Sequence, residues 1–136
     1  MQIAMAKSIG DQLKAIQKQS MTAAEKVYKE TMFELSYGVI FDTPVLDGFL
    51  IGGWLSGYSF DNEQHNDTGA AESTGRLSTA VESLTLDKSF YFINPLPYAY
   101  RIEYEGHSKR RPEGMLRKNL REFENVAQDK INKYKV

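Results

Sequence analysis

FDTPVLDGFLIGGW, residues 41–54, is the stretch on which the fold turns. Before it, residues 7–37 read as one long helix. Ile9, Leu13, Ile16, Ala24, Val27 and Leu35 recur at steps of three, four and eight residues, which places them along one face. A capping-box spacing at Thr22 and Glu25 and a further capping residue at Ser20 offer a break, but no proline supports one. Pro44 ends the helix, because it lacks a backbone donor and turns the residue before it away from helical angles. Asp47-Gly48 then reads as a turn. Leu50 to Phe60 reads as a strand whose Gly52, Gly53 and Gly57 imply a bulge or a close backbone approach.

Working outward, residues 61–75 (DNEQHNDTGAAESTG) are polar and predict an exposed, mobile loop. Residues 76–85 predict a short helix with Leu77, Ala80, Val81 and Leu84 on one side. Ser89 to Asn94 predicts a strand of aromatic and β-branched type. Residues 97–104 (PYAYRIEY) suit a helix with Pro97 in its first turn. Residues 113–132 suit a last helix with an apolar stripe of Met115, Leu116, Leu120, Phe123, Val126 and Ile131. The expectation is one domain over 1–136, of α/β (α+β) class. A long N-terminal helix and a C-terminal helix pack, through their apolar stripes, on a small, mostly antiparallel sheet. Two strands are marginal alone, so a third is expected from Phe41–Phe49, from the polar loop or from a neighbouring subunit.

The 136 residues suffice for a single core. There is no cysteine, which removes disulfides, thiolate metal sites and thiol nucleophiles. No apolar run is long enough to span a membrane, and the N-terminus lacks the pattern of a secretory signal. The net charge of −1 conceals an asymmetry: from Glu30 to Gly75 there is no lysine or arginine, while the bases cluster near both ends. That division suits head-to-tail contact between copies of the chain.

Chemistry is sparsely represented. The two histidines, His65 and His107, stand in no hydrolase, zinc-protease or nucleotide-binding motif, so no catalytic residues and no cofactor are expected. Asp61, Glu63, His65 and Asp67 alternate in the polar loop without the spacing of a calcium loop, so no metal is expected either. Lys109, Arg110 and Arg111, with Arg117, Lys118 and Arg121, form a basic cluster that suits phosphate contact, although the sequence pI is only about 6.1. Tyr98, Tyr100 and Tyr104 beside Arg101 are the residue types enriched at protein-binding hot spots.

The order of residues adds a further reading. FDTPVLDGFLIGGW together with FYFINPLPYAYRIEYEGHSKRRPEGMLR resembles the neck and tail-completion proteins of tailed bacteriophages. The matching positions are Thr43, Pro44, Val45, Gly48 and Trp54, then Asn94, Leu96, Pro97, Tyr98, Ala99, Glu103, Tyr104, Gly106, His107, Ser108, Lys109, Pro112, Gly114, Met115 and Arg117. Leu46-Asp47-Gly48 stands where Asp-Thr-Gly is usual, and Glu105 is one extra residue within Glu-Tyr-Gly. The resemblance implies a structural virion protein, made in the host cytoplasm and forming a ring at the head–tail junction. A hexamer is expected, contacting other neck, connector or tail-tube proteins and, in passing, genomic DNA. The expected interface residues are Tyr98, Arg101, Glu103, Tyr104, His107, Lys109, Arg110, Asp61 and Glu63. The alternative is a DNA-contacting module built on Lys109–Arg111.

Overall fold

A computed structural model of the chain describes residues 2–45, 47–60, 63, 65–104 and 114–135. The architecture is α+β, with a long N-terminal helix, a C-terminal helix and a small antiparallel sheet. Helix α1 runs Gln2–Asp42, which at about 1.5 Å per residue makes it roughly 60 Å long. It has no internal break, in keeping with the absence of proline. A 3-10 turn, Ile51–Gly53, leads into strand β1, Leu55–Gly57. Helix α2 is Ala70–Glu82, strand β2 is Tyr91–Ile93 and helix α3 is Pro97–Tyr104. Helices α4, Leu116–Leu120, and α5, Phe123–Lys133, close the chain.

The core gathers around the corner that follows α1. Val39 and Ile40 from α1, Leu50, Ile51 and Trp54 from the corner, Leu77 from α2, Ala99 and Ile102 from α3, and Met115 form one buried cluster. Trp54 stacks face to face on Phe92, with ring centroids 4.6 Å apart. Its Nε1–H donates to Thr43 Oγ1 (2.9 Å), and the Thr43 hydroxyl donates on to the Val39 carbonyl (2.7 Å). The end of α1 is thereby tied to the tryptophan, and a buried indole N–H is satisfied.

Several expectations are corrected. The strand expected over Leu50–Phe60 shrinks to β1, which pairs antiparallel with β2 as Leu55 with Ile93, Ser56 with Phe92 and Gly57 with Tyr91. Its first half is the 3-10 turn because side chains, not a neighbouring strand, take the backbone carbonyls there. Asn94 Nδ2 donates to Leu50 O (2.9 Å), Ser73 Oγ to Ile51 O (2.6 Å) and Arg76 Nε to Trp54 O (3.0 Å). Among the described residues of the chain itself no third strand joins the sheet.

The loop expected over 61–75 stops at Gly69, whose φ of −129° and ψ of 153° are those of extended backbone. Ala70–Gly75 already belong to α2, which starts six residues earlier than expected and ends at Glu82. The preceding residues are held close: Gly48, at φ 90°, leaves no space for a Cβ against the Thr68 carbonyl. The last helix divides at Arg121-Glu122. The turn rotates the expected stripe, so Met115 is buried while Leu120, Phe123 and Ile131 are exposed.

The stripe of α1 is likewise used only in part. Leu35 is buried, whereas Ile9, Leu13 and Ile16 are exposed. The expected head-to-tail charge division also changes meaning. Lys118 pairs with Asp42 (3.1 Å), Lys130 with Glu34 (3.4 Å) and Lys133 with Glu30 (2.9 Å), so part of the acidic middle meets the basic end inside one subunit.

Candidate protein-interaction site

Helix α3 has two unlike faces. Ala99, Ile102 and Glu103 point inward and are buried, while Tyr98, Tyr100, Arg101 and Tyr104 are exposed. Pro97 opens the helix where a backbone N–H would have no partner. Asn94 turns the chain into it: its Oδ1 accepts from Leu96 N–H (3.2 Å) while its amide holds Leu50 O.

Glu103 is not on the surface, which corrects its expected place in an interface. It is 3% exposed, and its carboxylate gathers the start of α4. Oε1 accepts from Met115 N–H (2.7 Å) and Leu116 N–H (2.7 Å). Oε2 accepts from Arg117 N–H (3.1 Å) and from Arg117 Nε–H (2.9 Å). The Arg117 guanidinium also donates to the Glu103 backbone carbonyl. Burial pushes the Glu103 carboxyl up. The Leu116 N–H, the Arg117 side chain and the Met115 and Arg117 N–H groups together outweigh it and hold the carboxyl below its ordinary value. Gly114, at φ 84°, sits against this carboxylate, and a Cβ there would collide with Oε2. The sequence elements Glu103 and Gly114-Met115-x-Arg117 therefore make one physical unit.

That unit shapes the exposed side. The Arg117 guanidinium lies 5.0 Å from the centre of the Tyr104 ring, and Tyr104 lies 5.0 Å from Tyr100, tilted by 45°. Arg117 is thus fixed by Glu103 on one side and supports the tyrosine pair on the other. Tyr100 and Tyr104 remain about 60% exposed, at 60% and 59%. The result is a rigid aromatic edge with Arg101 beside it.

Glu63 is exposed. Asp61, His107, Lys109, Arg110 and Arg111 lie outside the described residues. Arg76 and Ser73, which the sequence reading passed over, organise the corner next to β1 together with Asp67. Arg76 Nη1 binds Asp67 Oδ2 (2.6 Å), Nε and Nη2 donate to the Trp54 and Gly52 carbonyls, and Ser73 Oγ accepts from Trp54 N–H (3.2 Å). An open cleft of about 580 Å³ adjoins them, lined among others by Ser56, Tyr58, Asp67, Glu72, Arg76 and Thr79. The available signal was the spacing of Ser73, Arg76 and Leu77 along one helical face.

Among the described residues no group of three or more metal-ligating side chains comes together, and no helix is long and apolar enough to cross a membrane. Comparison of the chain with protein-family models, with curated proteins and with solved structures finds no match.

Proposed function

We propose that the chain is a structural virion protein of a tailed bacteriophage, acting at the head–tail junction as a neck or tail-completion ring. The observation that carries the reading is the ordered block from Asn94 to Arg117. Its residues resemble that family in sequence, and they build the Glu103–Arg117 clamp beneath an exposed tyrosine–arginine edge. Tyr104, held against Arg117, and Tyr100 beside it lose little further conformational freedom on binding, which suits a docking surface. The ring, taken as a hexamer in the virion, joins patches of different kind on successive copies. The tyrosine edge is one such patch, or the seat of a connector or tail-tube protein.

The DNA-contacting alternative rests on Lys109–Arg111, which lie outside the described residues. Lys118, Lys130 and Lys133 are all engaged with carboxylates of the same chain, and Arg117 with Glu103. Replacing Tyr98 and Arg101 together by alanine should leave the fold intact, because both side chains are exposed. In a phage carrying that change, heads and tails should accumulate unjoined. Normal joining would remove the interface assignment, and steeply salt-dependent binding of the isolated chain to duplex DNA would favour the alternative.

A further inference from the structure

The first half of α1 carries an apolar seam that nothing among the described residues covers. Ile9, Leu13 and Ile16 are 53%, 62% and 54% exposed, and residues 11–22 are exposed throughout. The steps are four, then three, then four to Ser20, and they continue through Ala23 to Val27. That alternation sets the heptad register. Ile9 and Ile16 fall at d, Leu13 and Ser20 at a. The same stripe runs on into Thr31 and Leu35, which the body buries. Among the described residues the body meets α1 as far as Lys18, through Tyr134 at the end of α5 on one side and Thr85, Leu86 and Asp87 on another. Ile9 to Ile16 therefore project beyond it.

The residues bordering the seam carry no charge that would keep a second copy of the chain away. Positions e and g hold Gln12, Gln17 and Gln19 with Gly10, all uncharged. The charges Asp11, Lys14 and Lys18 fall at b and f, on the far side. Charged e and g positions are how such helices select an unlike partner, and like charges there keep identical helices apart. A neutral border does neither, and glutamines can bond to their own copies. We infer that the Ile9–Ser20 arm packs against the same arm of other copies of this chain in a parallel coiled coil. Leucine at a with isoleucine at d favours three or four strands over two. In the parallel arrangement Ser20 faces Ser20, whereas the antiparallel one would set it against isoleucine. The seam is short, so the contact is reversible, and it tightens when the bodies are held close by another interface. This inference stands apart from the head–tail reading and holds for a chain with any other role.

The chain has no cysteine, so an introduced thiol is unique. In the full chain, Ile16→Cys places it in the seam and Asp11→Cys places it on the far side. Under mild oxidation the Ile16→Cys protein should form disulfide-linked dimers roughly tenfold faster, because association raises the local thiol concentration. Adding Leu13→Asp should abolish that advantage while leaving the thermal unfolding midpoint unchanged, since the arm is exposed. Light scattering of the unmodified chain should rise with concentration toward three or four copies, and Leu13→Asp should hold it at one. Equal crosslinking of Ile16→Cys and Asp11→Cys would overturn the seam contact. Saturation at two copies would overturn the strand number.

Discussion

Glu103 and Arg76 perform opposite versions of one task. Glu103 is an anion that collects donors: three consecutive backbone N–H groups and the Arg117 side chain. Arg76 is a cation that collects acceptors: two corner carbonyls and the Asp67 carboxylate. Each gathers a turn the backbone alone would leave unpaired. They differ in access to water. Met115 is 1% exposed and Gly114 closes over the Glu103 carboxylate, which is itself 3% exposed, so the Met115 N–H has no other partner to turn to. Arg76 borders an open cleft, where solvent can take over freed carbonyls. A similar number of hydrogen bonds should therefore count differently in the two places.

The largest expected effect is at Glu103. Glu103→Ala strands the buried Met115 N–H and the half-buried Leu116 and Arg117 N–H groups, and leaves the Arg117 guanidinium only the backbone carbonyl of residue 103. Loss of an ionised acceptor shared by several buried and half-buried donors costs about 3 kcal/mol, read as a fall in the urea midpoint. Arg117 should also leave Tyr104, so the tyrosine edge should lose order in the same variant. Arg76→Ala should cost less, about 2 kcal/mol, because water enters from the cleft. If the two losses are equal, solvent access is not what separates the sites.

Acid sharpens the same contrast. The folded-state carboxyl of Glu103 is held below its ordinary value of about 4.5, so the stability it contributes is complete above that value. It is lost as the pH falls through the lower folded value. Protonation should destabilise the chain less than truncation does, since a neutral carboxyl still accepts from some of the N–H groups. The Glu103→Gln variant, which cannot titrate, should show a shallower decline of unfolding free energy below pH 4.5 than the unmodified chain. An identical pH profile would mean that other carboxylates govern the acid limb.

These two sites also show what sequence can disclose. The limits of α3 were legible because proline at its start and an amphipathic period of eight residues agree. Burial of Glu103 beside Ala99 and Ile102 was not read, since its hot-spot neighbours set it among the interface residues. Its role was not legible either, because its partners are backbone groups twelve to fourteen residues away. At the corner, Ile51-Gly-Gly-Trp54 looks like a strand by composition. It becomes a turn only because Ser73, Arg76 and Asn94, all distant in sequence, supply donors for its carbonyls. The early start of α2 was masked by the polar run before it, although Ala70-Ala71-Glu72 favours a helix on propensity alone. The division between α4 and α5 has no glycine or proline to announce it.

The smallest effect expected sets a baseline for the comparison. Lys133 bonds Glu30 at 2.9 Å, as short as the Arg117–Glu103 contact, but its side chain is 57% exposed. Coulomb attraction there is weakened by water, and holding a long lysine side chain still costs entropy. Lys133→Ala should therefore change the unfolding free energy by less than about 1 kcal/mol, even with the loss of its approach to the Tyr134 ring. Added salt should mask the pair in the unmodified chain and leave the Glu103 clamp intact, because screening acts on exposed charges far more than on buried ones. At high salt the Lys133→Ala chain and the unmodified chain should then unfold at the same urea midpoint, while Glu103→Ala stays displaced. Convergence of all three would place the Glu103 clamp in water like the Lys133 pair, and the difference between dry and wet sites would collapse.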